Sequence, residues 1–283
     1  MKKRIITAIF VLLIFVPTLI FSGSPALPII MAICSIFSVY ELFACVGYQK
    51  SIALSLPFYL IAAGFPFLVR YCKDLAFLMK LTVALSILFV LYGFAVVIFT
   101  HGKYTVENMA MIEVGCFYAL VGFNAMMVMR DYFPGGAYLL PIVFIAAWVT
   151  DVFALFCGLL FGRGGKHKLI PEISPKKTVE GSIGGIIFCM VAVVLYGFLI
   201  GKFVPQVAFA TKPWIALLLG LFLSVVSQIG DLLMSLVKRH YGIKDFGKIF
   251  PGHGGMLDRF DSVIAVSAAL FVFCTFFKFF EVG

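Results

Sequence analysis

Two aspartates three positions apart, Asp258 and Asp261, stand at the beginning of the last apolar stretch of this chain. On a helix that spacing places both carboxylates on one face, one turn apart. Asp231 lies inside the preceding apolar stretch and shares a helical stripe with Ser235 and Lys238. Carboxylates that face basic side chains at the edge of an apolar region indicate metal and phosphate chemistry.

Asp231 and Asp151 are ionisable residues within apolar stretches, where a charge costs about 2.5–3.5 kcal/mol on insertion scales. Each therefore needs a partner or a chemical task. For Asp231 two interpretations are open, a metal ligand acting together with Asp258 or an ion pair with Lys238 or Arg239. For Asp151 they are a place in the site or a buried hydrogen-bond partner.

The polar segment 238–257 joins two apolar stretches and is rich in glycine and positive charge. Gly254 and Gly255 precede the stretch that carries Asp258, and glycines before a helix N-terminus expose backbone N–H groups to an anion. His253 beside them suits an acid, a base or a donor to phosphate, although the glycines also fit a plain turn. The cations available to phosphate oxygens, which equally suit topology or lipid headgroups, are Lys238, Arg239, Lys244 and Arg259.

A second polar segment, residues 162–181, contains a Ser-Pro-Lys-Lys-Thr run that is followed by glutamate and glycine. Two lysines, two hydroxyls and a glycine suit a polyphosphate, and they suit a solvated loop equally well. The candidates for substrate binding in this segment are Ser174, Lys176, Lys177, Thr178 and Glu180.

The elements that must position these residues are almost entirely apolar. Of 283 residues, 63% are hydrophobic and 12% are charged, with a mean hydropathy of +1.12. That charge is too sparse to cover a soluble domain, and a membrane span needs about 20 apolar residues. We therefore predict an all-α, polytopic integral membrane protein with about nine transmembrane helices. The apolar stretches are 5–21, 27–47, 52–69, 75–99, 106–129, 137–161, 182–204, 213–237 and 257–280.

The distribution of positive charge predicts the orientation of these spans. With a cytoplasmic N-terminus, the cytoplasmic segments hold 15 of the 22 Lys and Arg residues. This asymmetry predicts an outer C-terminus and places both polar segments, 162–181 and 238–257, in the cytoplasm. Residues 1–136 would form about five N-terminal spans, and residues 137–283 a C-terminal catalytic region. The basic start resembles a signal peptide, but we favour an uncleaved first helix.

Other residue types limit the kinds of site that the chain offers. The seven cysteines are scattered without a CxxC pair and are expected to be small apolar fillers. The four histidines form no HExxH-type metal motif. Glu41 and Glu113 lie within apolar stretches without a surrounding pattern, so we expect structural pairing for both. The net charge of +9 is expected to face anionic lipid or an anionic substrate, and no nucleic-acid polymer is expected as a partner.

The stretch from Ser235 to Asp261 resembles the signature of the phosphatidate cytidylyltransferases, also called CDP-diacylglycerol synthases. The pattern runs S-x-apolar-K-R, four residues, K-D-x-G, an apolar residue before P-x-H-G-G, and D-R-x-D. The matching positions are Ser235, Lys238, Arg239, Lys244, Asp245, Gly247, Phe250, Pro251, His253, Gly254, Gly255, Asp258, Arg259 and Asp261. Gln228, Gly230 and Asp231 upstream are similar to the family too, as are Asp151 and the segment 165–181. The resemblance covers the N-terminal half only in hydropathy.

This resemblance implies a nine-span, homodimeric enzyme of the inner membrane that joins phosphatidic acid to CTP, giving CDP-diacylglycerol and pyrophosphate for phospholipid biosynthesis. It implies Mg²⁺ as cofactor, with Asp231 and Asp258 as ligands and K⁺ as a candidate second cation. The implied catalytic residues are Asp231, Asp258, Lys238, Arg239, Lys244, Asp245, His253, Arg259 and Asp261. The implied substrate-binding residues are Asp151, Ser174, Lys176, Lys177, Thr178, Glu180, Ser235, Gly254 and Gly255.

Two departures and two alternatives accompany the resemblance. Leu155 stands where members often carry tyrosine, and Arg163 and Gly164 look like extra loop residues. The nearest alternative is a CTP-dependent polyprenol kinase, which transfers the γ-phosphoryl group and therefore differs in its product. The other is a channel or transporter with Asp151 and Asp231 in its pathway, which predicts charge at the midplane and repeat symmetry.

Overall fold

The computed structural model of this chain describes residue 13 and residues 15–162, 167–250, 252 and 254–283. Among these residues, eight α-helices are long and apolar enough to cross a membrane. They are α1 (Ala26–Cys45), α2 (Ile52–Tyr71), α3 (Leu75–Phe99), α4 (Val106–Tyr132), α5 (Gly136–Phe161), α6 (Val179–Phe203), α7 (Pro213–His240) and α8 (Leu257–Phe276).

The prediction of an all-α, polytopic membrane protein is confirmed, because each of these helices coincides with a predicted apolar stretch. The remaining prediction, a first span over 5–21, falls mostly on residues outside the described ranges. A helix satisfies its own backbone hydrogen bonds, as hydrocarbon requires. The seven cysteines are all free, as their scattered positions predicted.

Short polar signals in the sequence set several helix ends. An Asp74 side-chain oxygen accepts a hydrogen bond from the Phe77 backbone N–H at 3.0 Å and so caps α3. The Thr178 hydroxyl oxygen accepts from the Gly181 N–H at 3.1 Å and caps α6 in the same way. Both caps satisfy N–H groups that have no partner inside the helix. Pro213 begins α7, where its missing N–H costs nothing.

The chain divides into two compact units. The first comprises Met1–Met127 and Asp245–Asp258, and the second comprises Val128–Lys244 and Arg259–Gly283. In the first unit α1 packs against α2, and the rings of the buried Phe43 and Phe58 meet edge to face with centroids 5.3 Å apart. In the second unit α6 packs against α5 and α7.

Glycines let α6 approach α5 at backbone distance in the second unit. A Cβ at Gly181 would lie 2.4 Å from the Ala154 carbonyl oxygen, and one at Gly185 would lie 2.8 Å from the Thr150 carbonyl oxygen. Apolar side chains gain little free energy by moving from lipid into a protein interface, so membrane helices associate mainly through close packing. Small residues permit that packing because they let the two backbones approach. The N-terminal end of α6 is thereby fixed beside the half of α5 that carries Asp151.

Two short antiparallel pairs of strands lie outside the helices, and the sequence analysis did not predict them. Strand β1 (Lys168–Ile170) pairs with β2 (Ser174–Thr178), and β3 (Val207–Phe209) pairs with β4 (Phe280–Val282). The first hairpin occupies much of the predicted polar loop 162–181. β2 ends at Thr178, the N-cap of α6. The hairpin therefore places Lys177 immediately before the N-terminus of that helix.

Candidate active site

Three carboxylates from three helices of the second unit converge at one place. Asp151 comes from α5, Asp231 from α7 and Asp261 from α8. The side chains of Asp261 and Asp231 are in hydrogen-bonding contact, and Asp151 interacts electrostatically with both. Carboxylates this close repel one another unless a proton or a cation lies among them. We call these three residues the acidic cluster.

Two basic residues accompany the acidic cluster. The Lys177 Nζ atom lies 2.5 Å from Asp231 Oδ2, and both side chains are about a quarter exposed. Lys177 and Arg259 also interact favourably with Asp151. The ion-pair alternative for Asp231 named Lys238 or Arg239, which lie seven and eight residues further along the same helix, about two turns away. The observed partner instead comes from the β1–β2 hairpin.

Neutral polar groups also connect the helices that carry the acidic cluster. The Ser182 hydroxyl of α6 donates to Gln228 Oε1 of α7 at 2.5 Å, and Gln228 Nε2 donates back to the Ser182 carbonyl oxygen at 3.4 Å. The Ser262 backbone N–H donates to Asp261 Oδ1 at 2.8 Å, and its hydroxyl lies 3.5 Å from Asp151 Oδ2. These contacts fix the backbone that carries each acid.

Asp258 lies in the first unit, where the preceding loop folds around its carboxylate. Its Oδ2 atom accepts hydrogen bonds from the backbone N–H groups of Phe246 at 2.8 Å and Gly255 at 2.9 Å. Only 7% of the residue is exposed. The Phe250 N–H donates to the Gly254 carbonyl oxygen at 2.9 Å, and Gly254 has a φ of +85°, which favours glycine. We call residues 245–258 the signature loop, and its described residues Phe246 and Gly255 are thus held by this carboxylate.

Glu41 makes a contact near the candidate site that the sequence analysis did not predict. Its carboxylate, fully buried on α1, accepts hydrogen bonds from the backbone N–H groups of Met256 at 2.7 Å and Leu257 at 2.8 Å. The prediction of a structural partner for Glu41 is met by the first N–H groups of α8. Its sequence neighbours carry no pattern, and the one available signal was an ionisable residue within an apolar span.

The other predicted site residues have separate places. Ser174 and Lys176 lie on β2, Thr178 caps α6, and Glu180 Oε1 lies 2.6 Å from the His167 ring nitrogen Nδ1. The residues in the last turns of α7 are Ser235, Lys238 and Arg239, of which Lys238 is buried. Lys244 and Asp245 are exposed in the loop after α7, and His253 lies outside the described residues.

Comparison with known proteins gives matches along nearly the whole chain. The sequence model described as the Cytidylyltransferase family matches residues 2–277. A Staphylococcus haemolyticus protein named phosphatidate cytidylyltransferase is 33% identical over 266 residues, which cover 94% of this chain and 96% of that protein. A Bacillus subtilis protein of the same name is 32% identical over 288 residues, covering 98% and 99% respectively. A third, from Staphylococcus saprophyticus, is 34% identical over 272 residues.

Proposed function

This chain belongs to the cytidylyltransferase family, and from that membership we infer that it is a nucleotidyltransferase that converts CTP and phosphatidate to CDP-diacylglycerol and pyrophosphate. The observation that carries this conclusion is identity of 32–34% to phosphatidate cytidylyltransferases over at least 94% of the chain. The reaction belongs to phospholipid biosynthesis, and its lipid substrate and product reside in the bilayer that the eight helices would cross.

The chemistry requires two anions to meet. A phosphate oxygen of phosphatidate forms a bond to the α-phosphorus of CTP, and the bond from that phosphorus to the pyrophosphate oxygen breaks. Catalysis of such a displacement consists mostly of positioning and charge stabilisation. We propose that Lys177 and Arg259 beside the acidic cluster bind phosphate oxygens, with Lys238, Arg239 and Lys244 as further cations. No side chain has to form a covalent intermediate.

We propose Mg²⁺ as the cofactor, with Asp231 and Asp258 as its protein ligands. Within the described residues no three Asp, Glu, His or Cys side chains are arranged to hold a metal ion alone. Mg²⁺ typically binds one or two carboxylates and takes its other ligands from water and substrate phosphates, so two aspartates are sufficient protein ligands. When bound, the ion would neutralise charge on the reacting phosphates. K⁺ is proposed as a second cation.

We also propose that this is a multi-pass protein of the inner membrane with its site at the cytoplasmic face. The charge asymmetry of the loops supports a cytoplasmic N-terminus and an outer C-terminus. A homodimer is proposed from the family resemblance. Cysteine labelling from each side of the membrane tests the proposed orientation of the termini. Mass measurement of the purified protein in detergent tests the proposed homodimer.

The test of the activity is one assay on the purified full chain in mixed micelles of phosphatidate. We expect labelled CTP to yield CDP-diacylglycerol and pyrophosphate in equal amounts, and we expect EDTA to abolish the product and added Mg²⁺ to restore it. Repeating the assay with K⁺ replaced by a bulky organic cation tests the second cation. In a parallel assay with polyprenol in place of phosphatidate and CTP labelled at its γ-phosphate, a labelled polyprenol phosphate would instead identify a kinase and contradict the proposal.

Replacing Lys177 by glutamine is expected to raise the KM for CTP about 10- to 100-fold. A hydrogen bond to a charged group contributes about 1.5–3 kcal/mol, and every 1.4 kcal/mol is tenfold in affinity. Steady-state kinetics at saturating phosphatidate measure the change. Lys168→Gln is the matched control, because Lys168 is an exposed lysine on the partner strand β1. Equal KM values in the two variants would contradict the role of Lys177.

A further inference from the structure

We propose that Glu41 is a positioning residue for the reaction, because its buried carboxylate fixes the backbone from which Asp258 projects. This inference rests on the proposed function. Glu41 comes from α1, in the part of the chain whose resemblance to the family was limited to hydropathy. The proposal therefore gives α1, which otherwise resembles a plain membrane span, a specific role in the reaction.

The first support is the pair of hydrogen bonds that Glu41 accepts. One carboxylate oxygen takes the Met256 N–H at 2.7 Å and the other takes the Leu257 N–H at 2.8 Å. The Leu257 N–H group begins α8 and the Met256 N–H group directly precedes that helix, so neither has an acceptor within it. A negative charge is also favoured there by the helix dipole. Both bonds are made immediately before Asp258, so they hold its main chain.

The second support is the space that the signature loop leaves for Glu41. A Cβ at Gly255 would lie 2.1 Å from Glu41 Oε1, and a Cβ at Gly247 would lie 2.4 Å from the same atom. Neither glycine has a φ in the left-handed region. Their lack of a side chain is therefore explained by the approach of the Glu41 carboxylate rather than by backbone conformation. Two glycines of the signature thus make room for a residue more than 200 positions away.

The loop is consequently held by two carboxylates. Asp258 Oδ2 accepts the Phe246 and Gly255 N–H groups from within the loop, and Glu41 accepts the next two N–H groups from α1. A backbone fixed on both sides of Gly255 gives the Asp258 carboxylate one orientation. Glu41 is fully buried behind it, so its effect on substrate is exerted through Asp258.

The test is Glu41→Gln in the full-length protein. Glutamine has the same shape but only one side-chain acceptor, and its NH₂ group would face a backbone N–H. We expect kcat to fall about 100-fold, the loss typical of a catalytic group displaced by about 1 Å, while the KM for phosphatidate changes less than twofold. Independently of activity, hydrogen–deuterium exchange of the peptide 254–261 should become faster, with helical content unchanged.

Glu113→Gln is the matched control, because Glu113 is another carboxyl group on a membrane-length helix of the first unit, remote in sequence from the signature loop. A kcat for Glu41→Gln equal to that of Glu113→Gln, or unchanged exchange at 254–261, would overturn the proposal. If the wild-type protein made no CDP-diacylglycerol, the proposed function would fail, while the exchange experiment would still decide the role of Glu41 in holding the loop.

A double-mutant cycle gives a second measurement. Gly255→Ala should lower kcat at least tenfold more in the wild-type background than in Glu41→Ala, where the colliding carboxylate is absent. If Glu41 variants are not recovered folded, Gly247→Ala is expected to reproduce the loss of kcat and the faster exchange, because its Cβ displaces the same carboxylate. Additive effects in the cycle, or a normal kcat in Gly247→Ala, would refute the assignment.

Discussion

Asp231→Asn is expected to lower turnover at least about 10³-fold, without loss of folding. Asparagine preserves the size of the side chain but removes the charge that we propose as a ligand of Mg²⁺. Charge stabilisation by a metal ion contributes several kcal/mol to such reactions, and about 4 kcal/mol corresponds to a factor of 10³. The measurement is CDP-diacylglycerol formation under single-turnover conditions with saturating CTP and Mg²⁺.

The stability of Asp231→Asn should move in the opposite direction from its activity. Asp231 contacts Asp261 and interacts unfavourably with Asp151, so removing its charge relieves repulsion within the acidic cluster. Lys177 loses its ion pair with Asp231 but retains its favourable interaction with Asp151. We therefore expect a thermal midpoint that is unchanged within about 2 °C or higher. Such a trade-off between stability and function is typical of active sites.

Asp131→Asn provides the control for this pair of measurements. Asp131 lies in the same unit, at the end of α4, with its carboxylate 3.7 Å from the guanidinium of Arg130. Its replacement is expected to leave turnover within twofold of the wild-type value. Turnover in Asp231→Asn above a tenth of that value, or a midpoint lowered by several degrees, would contradict the role given to Asp231.

The sequence was sufficient to predict the helices because each one needs only a local run of apolar residues. The candidate site residues Asp231, Asp258 and Asp261 could also be selected from the sequence, since ionisable groups near the ends of apolar runs are conspicuous. The predicted ends were less accurate: α6 begins at Val179 rather than 182, and α8 ends at Phe276 rather than 280. Hydropathy changes gradually where a span leaves the bilayer, so it defines a helix end poorly.

Long-range pairing could not be predicted from one sequence. Lys177 was chosen as a phosphate-binding candidate, yet nothing local indicated that it would contact Asp231 rather than solvent. The same holds for Glu41 and the start of α8, because periodicity reports which face of a helix is apolar but not which element covers it. The β1–β2 hairpin was not predicted because its strands have only three and five residues. Such short segments cannot establish the alternation of apolar and polar residues that indicates a strand.

Asp258→Asn is the second variant from which we expect a loss of at least about 10³-fold in turnover. Asp258 has two tasks, since its Oδ2 atom accepts two loop N–H groups and its charge is proposed to bind Mg²⁺. The side-chain oxygen of asparagine can still accept those N–H groups, so the variant removes the charge and preserves the loop. We expect that raising the Mg²⁺ concentration does not restore this turnover, and that hydrogen–deuterium exchange across the peptide 245–258 is unchanged.

The control that separates these tasks is Asp74→Asn. Asp74 also accepts a backbone N–H at a helix start, at 3.0 Å from Phe77, but it caps α3 and lies far from the signature in sequence. Exchanging Asp for Asn at a helix cap costs little, because both side chains are good caps. We therefore expect normal turnover and stability in Asp74→Asn. If Asp258→Asn lost activity only in parallel with faster exchange of its loop, the carboxylate would be holding the backbone, and its assignment as a metal ligand would be wrong.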